Sequence, residues 1–329
     1  MKLAFFDTKP YDVPGFDRYG IPAGIEIKYF EPNLCADTAA LAAGFDAVCV
    51  FVNDVVDAAV VNTLHSLGVK AIVLRCAGFN NVDLRACRGK LRVFRVPAYS
   101  PHAVAEHAMA LLLTINRNTH KAYSRTREFN FSLQGLAGFD LYGKTVGIVG
   151  TGKIGRVFAG ICKGFGMKVL AYDKFPDPAT GLEYVPLEEL FARSDILSLH
   201  CPLTEETNHL IDAASLAKMK DGVILINTSR GGLVNTEDLI NGIKDRKVGA
   251  ACLDVYEEEG DLFYEDLSGN IVQDDKLVRL IAMPNVIVTS HQAFLTREAL
   301  DNIASTTTNN LVRFFSGDPD ETTEVVCPN

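Results

Sequence analysis

Gly143-Lys-Thr-Val-Gly-Ile-Val-Gly-Thr-Gly-Lys-Ile-Gly155, running on to Tyr172-Asp173, decides how this chain folds. Val146, Ile148 and Val149 form a short apolar run fit for a buried strand, and Gly150-Thr151-Gly152-Lys153-Ile154-Gly155 follows at once. Ile154, Phe158, Ile161 and Phe165 then recur at helical spacing. Lys168 to Tyr172 reads as a second strand ending in Asp173, roughly 20 residues beyond the glycines. Each part has a physical task. Gly150 makes the tight turn, Gly152 lets a pyrophosphate reach the backbone, and Gly155 lets helix and strand pack closely. A helix opening at Lys153 and Ile154 offers unpaired N–H groups and a partial positive charge to the phosphates. Asp173 can accept hydrogen bonds from the adenosine ribose and would repel a 2′-phosphate, so NAD is expected rather than NADP. Glycines of this pattern also make ordinary turns. The full succession of strand, glycines, helix, strand and acid is what points to dinucleotide binding.

The 329 residues are enough for two domains, each with its own core. With 48% hydrophobic and 22% charged residues, the chain has the composition of a soluble globular protein. A formal net charge of −9 argues against nucleic acid or an anionic membrane as main partner. Met1 to Asp7 is too short in apolar residues for a signal-peptide core, and the run from Ala108 to Ile115 falls well short of a membrane span. The eight cysteines, Cys327 among them, are scattered without a CxxC or paired metal spacing. A reduced, cytoplasmic protein without a metal is the expectation.

Residues 1 to about 98 alternate strand-like stretches (2–6, 25–30, 47–52, 71–76, 92–96) with helix-like ones (37–43, 55–67). Such alternation predicts a parallel sheet covered on both faces. This region has no glycine fingerprint of its own, so it reads as a second α/β domain contributing something other than the dinucleotide site. Ser100-Pro101 opens a helix whose apolar face is Val104, Ala108, Leu111, Leu112 and Ile115, a linker between domains. Residues 121–144 show no clear period but carry Phe129, Phe131, Leu133, Leu136, Phe139 and Tyr142. So many large apolar residues need a cover, either from their own domain or, the favoured reading, from another subunit. Later strands are expected at 195–200, 223–227, 249–254 and 286–289. A last helix, from Arg297 to Phe315 with Thr296 as N-cap, should return to the N-terminal domain. The fold class is therefore α/β with two doubly wound parallel-sheet domains: a discontinuous one, 1–99 plus 296–329, and a Rossmann NAD-binding domain, 100–295.

In open α/β sheets ligands bind beyond the carboxyl ends of the strands. Three polar residues follow late strands there: Arg230, Glu259 and His291. Taken singly, each has a plainer reading, as a surface ion-pair residue, a member of a solvated acidic run and a hydrogen-bonded structural histidine. Together, beside an NAD site, they fit hydride transfer to a 2-oxo acid. A guanidinium can hold the substrate carboxylate in a two-pronged pair. An imidazolium can protonate the developing alkoxide, and a carboxylate partner can orient it and favour its protonated form.

Five motifs carry a more specific likeness: Gly147 to Gly155, Leu199-His-Cys-Pro-Leu203, Asn227-Thr-Ser-Arg-Gly-Gly232, Leu253-Asp-Val-Tyr-Glu-Glu-Glu259 and Ser290-His-Gln-Ala-Phe294. With Arg75-Cys-Ala-Gly-Phe-Asn-Asn-Val-Asp83 and Val96-Pro-Ala-Tyr-Ser-Pro101, they resemble the D-isomer-specific 2-hydroxyacid dehydrogenases over nearly the whole chain. The segment from Val255 to Leu267 is most similar to the family's bacterial fermentative D-lactate branch. On that resemblance Arg230, Glu259 and His291 match the substrate arginine, supporting acid and catalytic histidine. Asp254 matches a residue near the nicotinamide. Cys201, Pro202 and Thr207 match the loop beside adenine and ribose, and the turn Thr228, Ser229, Arg230 lies along the cofactor. Gly78 matches a loop that meets the substrate carboxylate, and Tyr99 and Phe294 match pocket positions, for which core packing stays equally open. Gly232 departs from the proline or alanine common in the family.

The resemblance also implies a flavodoxin-like substrate domain, a cleft that closes on ligand, subunits paired through their nucleotide domains and a D-configured product. The expected reaction is NADH-dependent reduction of pyruvate to D-lactate. A bulkier 2-oxo acid such as 2-oxoisocaproate is the alternative within the class, and an NAD-sensing regulator the alternative outside it. Phe51 and Phe294, if they line the pocket, favour a small substrate.

Overall fold

A computed structural model describes residues 1–260 and 262–326, so Cys327 lies outside the described residues. The chain divides into two compact units, Met1–Ser100 with Leu295–Asn329, and Pro101–Phe294.

The first unit is built on β1 (Lys2–Phe5), β2 (Glu26–Tyr29), β3 (Ala47–Val50), β4 (Ala71–Leu74) and β5 (Arg92–Phe94). They pair in parallel in the order β2-β1-β3-β4-β5, the flavodoxin-like arrangement. Every residue of β3 and β4 is buried, as expected for strands covered on both faces. Helix Arg297–Phe315 packs on helix Val13–Gly20 and on β4. Thr296 caps it, its Oγ1 accepting from Ala299 N at 3.2 Å. The chain then runs along β5, where Arg95 N donates to Thr323 O at 2.9 Å and Val325 N to Val93 O at 2.8 Å. The return of the C-terminal helix to the N-terminal sheet makes this unit discontinuous in sequence.

Local differences from the sequence expectation have identifiable causes. The helix expected over 37–43 is only a 3₁₀ turn, Ala39–Ala42. The helix expected from Val55 starts at Ala58, because Asp57 is the cap and accepts from Val60 N at 2.9 Å. The helix Val13–Gly20 was masked by its own Pro14 and Gly15; proline is compatible with a first helical turn.

The second unit holds β6 (Thr145–Val149), β7 (Lys168–Tyr172), β8 (Glu183–Tyr184), β9 (Ile196–Leu199), β10 (Val223–Asn227), β11 (Val248–Leu253) and β12 (Val286–Val288). The order is β12-β11-β10-β9-β6-β7-β8, parallel throughout. Read from β8, this is the dinucleotide-fold order with one strand added at the far edge. Helix Pro101–Arg117 packs on helix Lys153–Gly164 and buries Ala105, Ala108, Leu111, Leu112 and Ile115 in this unit's core. The stretch 121–144 is not irregular from its start, since helix Thr119–Arg127 occupies its first part. Beyond it Phe129, Phe131, Leu133 and Tyr142 are 71% to 83% exposed.

Candidate active site

The order of the second sheet reverses between β6 and β9, and the turn leaving β6 borders the loop leaving β9. Gly150 there has φ +95°, and a Cβ on it would lie 2.6 Å from His200 C. A Cβ on Gly155 would lie 2.0 Å from Gly150 O, so only glycine lets the helix sit this close to the turn. Gly152 is different. Nothing lies within 4 Å of the Cβ it lacks, so its open side is available to a ligand rather than filled by protein. Lys153 and Ile154 follow as the first residues of helix Lys153–Gly164.

Asp173, after β7, fastens this loop. Its Oδ2 accepts from Thr151 N at 2.6 Å and Thr151 Oγ1 at 3.0 Å, and its Oδ1 accepts from Phe175 N at 2.9 Å. Burial pushes the carboxyl up, but these bonds and the Arg156 guanidinium outweigh it and hold Asp173 below the usual aspartate range. Thr151, between the two glycines, is a loop-fastening residue that the glycine pattern alone did not single out. An ionised acid beside an open glycine turn and a helix N-terminus is the donor and acceptor set that a pyrophosphate and an unphosphorylated ribose require.

Cys201 is 8% exposed and burial pushes its thiol up to about 11, so it stays a neutral apolar wall. Pro202 O accepts from Thr207 Oγ1 at 2.7 Å, which closes the loop beyond. His200 is held down to about 4 by burial; its Nε2 meets Ser198 Oγ at 2.9 Å and its ring packs on Phe158. It is a neutral structural histidine.

After β10, Asn227 ties the turn that carries Arg230. Its Nδ2 donates to Arg230 O at 2.9 Å and its Oδ1 accepts from Ser229 N at 3.1 Å. Ser229 Oγ donates to Cys201 O at 2.6 Å and the Thr228 hydroxyl is enclosed by protein, so the role left to this turn is a backbone one. Arg230 Nη1 donates to Ser229 O at 2.7 Å, and the half-buried guanidinium has no carboxylate partner among the described residues. At Gly232 a Cβ would lie 3.0 Å from Leu203 Cδ2, so the glycine relieves a tight contact here.

Glu259 Oε1 lies 2.8 Å from His291 Nδ1, and Glu259 Oε2 accepts from Tyr256 N at 2.9 Å. His291 has φ +50° and is pinned by its backbone, its N donating to Asp254 O at 2.7 Å and its O accepting from Tyr264 OH at 3.1 Å. With Nδ1 on the carboxylate, Nε2 is the nitrogen left for a substrate. The acidic run divides between two histidines. Glu259 is on His291, and Glu257 is on His209 at 2.5 Å. Asp254 is fully buried, with Oδ1 accepting from Thr289 Oγ1 (2.5 Å) and Gln292 N (2.9 Å), and Oδ2 from Ala293 N (2.9 Å). It braces the turn around His291.

Phe294 is 7% exposed. Gly78 and Tyr99 belong to the first unit, where Gly78 O accepts from Cys76 Sγ at 3.2 Å and Tyr99 O from Asn302 Nδ2 at 2.7 Å. Phe51 is packed against the Arg75 guanidinium, 4.7 Å from its ring centre, and only 5% exposed.

A sequence model described as "D-isomer specific 2-hydroxyacid dehydrogenase, NAD binding domain" matches residues 109–293. The chain is 50% identical to the D-lactate dehydrogenase of Escherichia coli strain K12, covering 100% of this chain and 99% of that one. It is 54% identical to 2-hydroxyacid dehydrogenase A of Aspergillus oryzae, covering 95% of this chain and 92% of the relative. The solved structure of the pyruvate reductase of Chlamydomonas reinhardtii superposes with a TM-score of 0.92 at 45% identity, over 97% of both chains. The chain therefore belongs to the D-isomer specific 2-hydroxyacid dehydrogenase family, the NAD-dependent oxidoreductases its motifs resemble.

Proposed function

We propose that this protein reduces pyruvate to D-lactate at the expense of NADH, and runs the reverse reaction when lactate and NAD are in excess. The observation that carries the reading is the pairing of Glu259 with His291 Nδ1, together with a half-buried Arg230 that no carboxylate among the described residues neutralises. Bound NADH supplies the hydride. Arg230 receives the substrate carboxylate through paired charge-assisted hydrogen bonds, which fixes the 2-oxo acid and draws electron density toward the carboxylate end. His291 Nε2 gives its proton to the carbonyl oxygen as that oxygen gains charge, and Glu259 holds the ring and stabilises the imidazolium before the transfer. In lactate oxidation the same nitrogen takes the proton back. The residues that hold the cofactor are Gly150, Gly152, Gly155 and the N–H groups at Lys153 and Ile154, with Asp173 on the ribose, Cys201, Pro202 and Thr207 along the adenine side and the Thr228–Arg230 backbone beyond. Gly78, Tyr99 and Phe294 are assigned to the substrate.

Pyruvate rather than a larger 2-oxo acid is supported by the relatives named above, one a D-lactate dehydrogenase and one a pyruvate reductase. The test is NADH oxidation with pyruvate against 2-oxoisocaproate at equal concentration, with chiral analysis of the product. A higher kcat/KM on pyruvate and a D-configured product are expected. Preference for the larger acid would overturn the substrate, and tight NADH binding without turnover on either would overturn the enzyme.

The same reading makes the exposed aromatic stretch of the second unit a contact with another copy of this chain. Phe129, Phe131, Leu133 and Tyr142 leave more large apolar side chain exposed along one stretch than solvent-facing segments usually carry. Sedimentation should show a dimer or larger, and Phe129→Glu with Phe131→Glu should shift it toward the monomer. Among the described residues no helix is long and apolar enough to cross a membrane. The described cysteines are all free thiols, six of the seven buried, which fits work in the reducing cytoplasm.

A further inference from the structure

Asp254 has one basic neighbour that neither the motifs nor the reaction scheme uses. His107, in the middle of helix Pro101–Arg117, places Nε2 3.3 Å from Asp254 Oδ1 and 3.2 Å from Thr289 Oγ1. The Thr289 hydroxyl gives its single hydrogen to Asp254 Oδ1, so toward His107 it is an acceptor. His107 Nε2 is therefore the donor, shared between the hydroxyl and the carboxylate. Among the described residues it is the one basic side chain within ion-pair distance of this fully buried acid.

What Asp254 holds makes the contact consequential. Its backbone O accepts from His291 N, its backbone N donates to Asn227 O at 2.9 Å, and its carboxylate gathers Gln292 N and Ala293 N. Asn227 in turn fixes the Arg230 turn. Asp254 thus ties into both turns by different groups: its backbone N–H reaches Asn227 beside Arg230, whereas its carboxylate gathers only the turn around His291. A buried acid left short of a donor costs free energy and relaxes toward whatever donors it can reach. His291 sits at a positive φ, a strained backbone that persists only when its surroundings hold it.

We propose that His107 is a positioning residue of this active site: its imidazole, through Asp254 and Thr289, holds the turn that presents His291 to the substrate. The inference rests on His291 being the proton donor. It predicts an effect on turnover rather than on binding, because the glycine turn and the Arg230 guanidinium make no contact with His107.

The test is steady-state kinetics with NADH and pyruvate on His107→Leu and His107→Gln, with NADH affinity read by fluorescence titration and folding by thermal melting. His107→Leu fills the space but donates nothing; kcat should fall about tenfold while KM for pyruvate and the NADH Kd stay within about twofold. His107→Gln carries an amide N–H to a similar distance and should recover most of the loss. A double-mutant cycle with Thr289→Val should be strongly non-additive, since both substitutions loosen the same turn. If His107→Leu does not fold, His107→Asn replaces it. Its amide is too short to reach Asp254, so it should be slow where the glutamine variant is not. A leucine variant with wild-type kcat, equal asparagine and glutamine variants, or strict additivity with Thr289→Val would each overturn the proposal. His291→Ala separates the two levels: if it keeps turnover, the proton-donor reading itself fails, whereas an inactive His291→Ala beside a fully active His107→Leu refutes only the role of His107.

Discussion

Each of the two sheets has a crevice where its strand order reverses, and the chain treats the two in opposite ways. In the second unit the crevice between β6 and β9 is lined by glycines, and Gly152 leaves its side open. In the first unit the reversal falls between β1 and β3, and there the chain fills the space itself. Arg75, 2% exposed, lies between the rings of Phe5 and Phe51 at 4.6 and 4.7 Å. Its Nη1 donates to Phe6 O at 3.1 Å and its Nη2 to Asp7 O at 2.5 Å, with the Asp12 carboxylate 3.3 Å from Nε. Lys9 covers Asp7 from the other side at 3.0 Å. Every charge in this cluster meets an opposite charge from its own chain. Around the second sheet, by contrast, Arg230 and the Nε2 of His291 are left with bonding capacity toward a ligand. The same topology therefore serves as a scaffold where its charges are paired within the chain and as a reaction site where some are not.

This contrast can be broken at either end. The largest effect is expected at Gly155→Ala, whose Cβ would collide with Gly150 O; both melting temperature and NADH binding should collapse. Arg75→Met should come next. Removing the guanidinium strips Asp12 of its closest cation and leaves Asp7 with Lys9 alone, and should cost about 3–5 kcal/mol in denaturant unfolding. Adding Asp7→Asn and Asp12→Asn should recover part of that, and NADH affinity should not follow either change. Gly152→Ala is the converse. Its Cβ meets no protein atom, so stability should be unchanged while the NADH Kd rises about tenfold, roughly 1.4 kcal/mol. Arg230→Lys replaces a planar fork by a point charge and should lower kcat/KM for pyruvate by about 10- to 100-fold, from the roughly 1.5–3 kcal/mol of a charge-assisted bond.

The smallest effect concerns pH. Burial pushes Asp54 up to about 6, against the opposing pull of Arg75 and of the Phe51 and Leu34 N–H groups. The folded state thus keeps this proton longer than the unfolded chain, whose aspartate titrates near 3.9. Its stabilising contribution is complete below about pH 4 and is lost as pH rises through 6. Asp54→Asn should flatten the dependence of the unfolding midpoint on pH across that window.

How much of this was legible in the sequence depended on whether a residue's role is local. The glycine turn, the second-sheet strands and the capped final helix follow from short-range chemistry: Gly150, Gly152, Gly155 and Asp173 announce themselves by spacing, and Thr296 as a cap. The grouping of Glu259 with His291 was readable because each follows a strand end of one parallel sheet. Roles set by distant partners were not. Arg75 looked like one member of a loop motif, and Phe51 like a pocket residue, until the buried cluster joined them. His107 sits on an apolar helix with no local sign that Asp254 lies against it. Helix Thr119–Arg127 escaped because none of its residues is buried, so it carries no apolar period.

The most direct test of the central claim is turnover by His291→Ala with NADH and pyruvate, measured on protein shown to bind NADH normally. A kcat lowered by at least about 100-fold, the usual contribution of a positioned acid, is expected, with NADH affinity nearly unchanged. Near-wild-type turnover by that variant would contradict it, and would move the proton donor to another group.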